Sequence, residues 1–139
     1  MNTTNKPVAP WLLTGDWLIL LIFVFTGQRD HDMSVVGSLP SLFTTTLAVA
    51  LPWTVTAWLM GALRHPAGQP PAAWFGRVAA AWLITAPLGL ILRALFRGQA
   101  SIPVPFMLVM LGLGGLFVLG WRAAAYWWAR RKVGAPIAG

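Results

Sequence analysis

Residues 15–31 read GDWLILLIFVFTGQRDH. Their centre, Leu18–Phe25, is LILLIFVF, apolar at every position. A surface helix of a soluble protein keeps a polar face, and a membrane barrel strand alternates apolar with polar residues. This run does neither. A helix crossing a bilayer needs about 20 mostly apolar residues at a rise of about 1.5 Å each. The stretch from Trp11 to Gly27 has that character and carries one charge, Asp16. An ionisable group inside a span is costly unless a partner meets it, so Asp16 is the first candidate for a functional or structural role.

Working outward, three further stretches have the same character. Residues 39–63 hold no charge, residues 72–93 hold Arg77 near their start, and residues 105–128 hold Arg122 near their end. The connections Gln28–Ser38, Arg64–Pro71 and Ala94–Pro103 are short, and short connections join antiparallel neighbours. The expected fold is therefore all-α, a polytopic four-helix transmembrane bundle forming one domain over residues 11–132. The tails 1–10 and 133–139 are expected to be disordered. Composition agrees: 58% of the 139 residues are hydrophobic and 9% charged, against about 45–50% and about 25% in soluble domains. A chain this small cannot hide so much apolar surface from water. Disorder needs low hydrophobicity, and a disulfide scaffold needs cysteine, of which there is none. A cleaved leader is not expected, since only Lys6 precedes the first span and TGQRDH follows it.

Basic residues set the orientation. With four spans, one side holds Lys6, Arg64, Arg77, Arg122, Arg130, Arg131 and Lys132, and the other holds Arg29, Arg93 and Arg97. This imbalance predicts both termini on the cytoplasmic side of a bacterial inner membrane. The high sequence pI, about 11.8, thus reads as topology. Nucleic-acid binding is not expected, because the basic residues sit at helix ends rather than in one patch. The expected partners are the lipid bilayer, anionic lipid near the ARRK tail, and either copies of this chain or a larger membrane complex. Most of the nine Trp residues lie in the cytoplasmic half of their spans. That placement is expected to serve as an interfacial anchor.

Small residues mark expected helix contacts in lipid: Ala72, Gly76 and Ala80; Ala57 and Gly61; Gly112, Gly114, Gly115 and Gly120. Pro52 and Pro87 lie inside spans and should kink them, freeing the carbonyls of Ala48 and Leu83. Such paired kinks either open a pocket or serve packing alone.

The ionisable residues fall into two layers. Asp16 and Arg77 each lie about 9 Å into their spans from the cytoplasmic end, and Arg122 about 12 Å. Asp16 is expected to pair with Arg122 or Arg77, and Arg122 is preferred because first and last helices of a small bundle commonly abut. The spare arginine either snorkels to head groups or forms an anion site. The outer layer comprises Arg29, Asp30, His31, Asp32 and Arg93, with Arg97 one turn beyond. Asp30 or Asp32 can pair with an arginine there. One His and two consecutive-range acids make a poor metal site, so no metal is expected. No nucleophile constellation, metal-ligand motif or phosphate loop appears. No catalytic residue and no cofactor is expected. The chain also has no Glu, which counts against a carboxylate relay.

Three pieces together resemble a bacterial integral-membrane family, domain of unknown function three-zero-five-four. They are GDWLILLIFVFTGQRDH in span one, PLGLILRALF in span three and FVLGWR in span four. The resemblance covers residues 12 to 126 and matches Gly15, Asp16, Gly27, Arg29, His31, Gly89, Arg93, Gly120, Trp121 and Arg122. Asp30 stands where Ser is common in the family. The resemblance implies a small multi-helix membrane protein and no particular activity. The expected function is a non-enzymatic accessory or scaffold protein. The alternative is a small transporter or channel-like protein for an anionic or lipid-like solute.

Overall fold

A computed structural model of the chain describes residues 8–29 and 39–134. These form four helices: α1 (Pro10–Arg29), α2 (Leu39–Leu59), α3 (Pro71–Arg97) and α4 (Val104–Gly134). Each is long and apolar enough to cross a membrane, and no strand occurs among the described residues. The chain is a multi-pass membrane protein, with the all-α, four-span architecture expected from its hydropathy.

The helices are arranged in a ring. α1 packs on α2 and α4, α3 packs on α2 and α4, and the diagonal backbones do not approach. The closest association is α2 with α3. Their buried faces are rich in small residues, with Ala48, Ala50 and Ala57 on α2 and Ala81, Ala86 and Gly89 on α3. Small side chains let helix backbones come together where lipid gives little hydrophobic drive. A Cβ placed on Gly89 would lie 3.3 Å from the carbonyl oxygen of Ala48. That is the carbonyl Pro52 deprives of its helical donor, and α3 closes directly over it. Both α2 and α3 run through their prolines without interruption.

The helix ends depart from the hydropathy boundaries in instructive ways. Apolar residues continue to Leu63, but α2 stops at Leu59. Gly61 takes φ +70°, its N–H reaches the carbonyl of Trp58, and the N–H of Ala62 reaches that of Ala57 at 2.8 Å. This is a Schellman stop, so Gly61 is a cap and not part of a contact stripe. α3 ends the same way at Gly98, φ +62°, with Gln99 N–H on the carbonyl of Ala94. α3 begins with Pro71 at its first position, where a missing N–H costs nothing.

The tails also differ from expectation. Val8 pairs with Arg64 in an isolated bridge, and Ala9 N–H donates to the carbonyl of Leu63 at 2.9 Å. Pro10 already belongs to α1, and Val133 and Gly134 belong to α4. These residues are ordered because their backbone groups have partners. The rest of both tails lies outside the described residues. One end of the bundle therefore gathers the start of α1, the α2–α3 loop and the end of α4. Tyr126 Oη–H donates to the carbonyl of Gln69 across this end at 2.9 Å.

Candidate functional site

Asp16 and Arg122 meet in the centre of that end, each with no exposed surface. They form the one ion pair among the described residues, Nη2 to Oδ2 at 2.5 Å. Arg122 Nε–H donates to Oδ1 at 2.8 Å, making the contact a two-pronged fork. Such planar pairing is the strongest geometry a guanidinium and a carboxylate share. Two indoles complete the carboxylate. Trp53 Nε1–H donates to Oδ2 at 2.9 Å and Trp121 Nε1–H to Oδ1 at 3.1 Å. Four donors fill the acceptor capacity of an ionised carboxylate.

The guanidinium is held as completely. Its remaining terminal nitrogen, Nη1, donates to the carbonyl of Ala62, which the Schellman turn aims into the bundle. Trp53 and Trp74 rings lie 5.6 and 5.5 Å from Cζ, within the range where an aromatic face stabilises a cation. All four helices contribute: Asp16 from α1, Trp53 from α2, Trp74 from α3, and Trp121 with Arg122 from α4.

Glycine makes the arrangement possible at one point. A Cβ on Gly15 would fall 1.9 Å from Cζ2 of Trp121. Only a bare α-carbon lets the indole lie on α1 and reach the neighbouring Asp16. Gly114 and Gly115 do the same for Trp82, whose ring sits 2.6 and 2.9 Å from their would-be Cβ atoms. Its N–H donates to the carbonyl of Leu111 at 3.0 Å. Gly76, Gly112 and Gly120 meet nothing within 4 Å of a built Cβ, so of the expected fourth-span stripe only Gly114 and Gly115 make a close contact.

Arg77 does not join Asp16. Its Nη1–H donates to Oε1 of Gln69 at 2.6 Å, and the carbonyl of Gln69 receives Tyr126. Arg77 shares the depth of the charge layer but faces the α2–α3 loop. The three-residue layer is therefore a closed pair plus a separate loop clamp. The hydroxyls of Thr56 and Thr85 bond to each other at 2.5 Å, and Thr54 accepts from Trp17 at 3.0 Å. Pro52 and Pro87 do not line the groove between α1 and α2. That groove, about 460 Å³, is lined by Leu13, Trp17, Leu21, Phe43, Thr46 and Leu47 among others.

The indole partners of Asp16 were not legible as such. Trp121 reads as an anchor by its position near one membrane face and Trp53 only as a mid-span residue, whereas buried indole N–H groups need acceptors. Trp17, Trp53, Trp74, Trp82 and Trp121 all spend their N–H inside the bundle. Trp58, Trp127 and Trp128 remain well exposed, with Arg131 and Lys132 stacked on the last two.

At the opposite end, Arg29 Cζ lies 5.9 Å from the Phe25 ring centroid. Arg93 Cζ lies 4.2 Å from that of Phe106. Arg97 donates to Ser41 Oγ. Asp30, His31 and Asp32 lie outside the described residues.

A small all-helical membrane bundle closed around a buried ion pair is the class of protein these features define. Residues 13–125 match the family model described as Protein of unknown function (DUF3054), and the chain belongs to that family. No curated protein and no solved structure matches it.

Proposed function

We propose that the chain is a non-catalytic accessory or scaffold protein of the bacterial cytoplasmic membrane, with both termini in the cytoplasm. The observation that carries this reading is the saturation of the Asp16–Arg122 centre. Every oxygen of the carboxylate is occupied, the guanidinium is forked and covered on its ring-facing sides, and neither residue has exposed surface. A charge pair held this way fixes how four helices meet. A site that binds and releases a solute needs polar groups free to change partners, as intramembrane transport residues do. The hydroxyls of Thr54, Thr56 and Thr85 are likewise engaged within the bundle.

The competing reading is transport of an anionic or lipid-like solute. Native mass spectrometry of the tagged chain, extracted from its own membrane in mild detergent, separates the two. A second membrane protein at fixed stoichiometry is the expected result. A chain that isolates alone and moves an anion across proteoliposomes overturns the proposal.

A further inference from the structure

The far end of the bundle, away from the Asp16–Arg122 centre, holds polar atoms left unpaired among the described residues. Arg93 Nε, Thr45 Oγ1, Thr46 Oγ1 and Gln28 Oε1 are buried and have no hydrogen-bond partner among the described residues; Thr46 lines the groove between α1 and α2. Buried polar atoms without partners are rare, and each calls for an explanation. Their placement is not scattered. Ser41 Oγ receives both Gln28 Nε2–H, at 3.2 Å, and Arg97 Nη2–H, so α1, α2 and α3 meet at that hydroxyl. Two turns further along, Val49 faces Gly89, whose built Cβ would lie 3.3 Å from Val49 Cα. Thr45 lies midway between Ser41 and Val49 on α2, and Arg93 lies midway between Gly89 and Arg97 on α3. In antiparallel helices this puts Thr45 and Arg93 in one layer, a single turn below the Ser41–Arg97 bond. Thr45 is 7% exposed. Phe106 of α4 packs on the Arg93 guanidinium from the fourth side.

Among the described residues this layer is cationic. Arg29, Arg93 and Arg97 lie at the same end, and the one acid among the described residues, Asp16, lies at the other. The unpaired set has a definite chemistry: a guanidinium N–H, for which an anionic oxygen is the strongest acceptor, two threonine hydroxyls, and an amide carbonyl that needs a donor. Arg97 is the last residue of α3 and Arg93 is one turn, about 6 Å, deeper. The end of a membrane-spanning helix is where head groups come within reach of a long arginine side chain. Leu95, Phe96 and Val104 are exposed around it, an apolar rim suited to acyl chains.

We propose that this end of the bundle binds the phosphate of an anionic phospholipid with a hydroxylated head group. Arg93 and Arg97 hold phosphate oxygens, and the head-group hydroxyl donates to Gln28 Oε1. Arginine is the side chain best shaped for phosphate. The inference rests on atoms remote from the Asp16–Arg122 centre and is independent of the accessory role.

The test uses the full chain in mild detergent, examined by native mass spectrometry with phosphatidylglycerol or phosphatidylcholine added. Phosphatidylglycerol adducts are expected to survive activation that strips phosphatidylcholine. Arg93→Gln with Arg97→Gln should weaken phosphatidylglycerol retention by about tenfold or more, the effect of losing a charge-assisted hydrogen bond. Arg131→Gln with Lys132→Gln, at the opposite end, should leave it unchanged. If the double variant does not fold, Arg97→Gln alone, an exposed position, should still reduce retention, and so should Gln28→Leu. Equal retention of both lipids, or wild-type retention in the Arg97→Gln and Gln28→Leu variants, overturns the proposal. Displacement by roughly millimolar inorganic phosphate with no lipid preference also overturns it, and assigns the layer to the free ion. The same holds if Asp30→Asn with Asp32→Asn destabilises the chain while lipid retention ignores Arg93, which makes the partner a carboxylate of this protein.

Discussion

Asp16 shows how a single residue in an apolar run organises everything around it. A lone carboxylate in a medium of low dielectric is too costly to persist ionised, and breaking one side of a buried pair leaves that cost uncompensated. Here Arg122, Trp53 and Trp121 supply four donors. Asp16→Asn keeps the shape but replaces one acceptor by an NH2 group facing donors, and it strands the Arg122 charge. The expected loss is about 3–5 kcal/mol, seen as a large fall in thermal stability in detergent. A variant as stable as the parent would show that the pair holds little of the fold together. Gly15 and Trp121 belong to the same unit, since the indole reaches the carboxylate only over a residue with no side chain.

Among the elements, the ends of α2 and α3 carry the positional information. A left-handed residue at the helix end costs about 1–2 kcal/mol when it is not glycine. Gly61 holds φ +70°, and the turn it allows presents the Ala62 carbonyl to Arg122. Gly61→Ala should therefore destabilise the bundle by about 1–2 kcal/mol. Gly120→Ala, within a helix and facing open space, should be neutral or slightly stabilising, because alanine has the better helix propensity. Melting both variants in the same detergent checks the pair; equal behaviour would mean the Schellman turn does not matter to stability. Hydropathy alone carried span two on to Leu63, because apolarity does not register a change in backbone direction. The glycine does, and it stands in the sequence as the helix-stop signal.

For the whole molecule, the ring of antiparallel helices brings the start of α1, the α2–α3 loop and the end of α4 to one end. The excess of Lys and Arg on that end predicts that it faces the cytoplasm. The chain has no cysteine, so single introduced cysteines report sidedness cleanly. Ala67→Cys and Gly139→Cys should react with an impermeant maleimide only in inverted vesicles, and Gln99→Cys only in intact spheroplasts. The reverse pattern would invert the orientation.

Hydropathy determined four spans, their helical character and their antiparallel order, because a bilayer forces every backbone group to be satisfied within its own segment. The one acid in span one, with arginines at matching depth, was legible as a pair for the same reason: charge in lipid demands a partner. Tertiary structure decided which arginine answered. Arg122 and Arg77 are alike in depth, and only the ring of helices turns one toward Asp16 and the other toward Gln69. It also decided that Trp53 and Trp121 face inward as donors while Trp127 and Trp128 face outward. Depth along a helix follows from counting residues, whereas the direction a side chain faces depends on how the helices are rotated against one another.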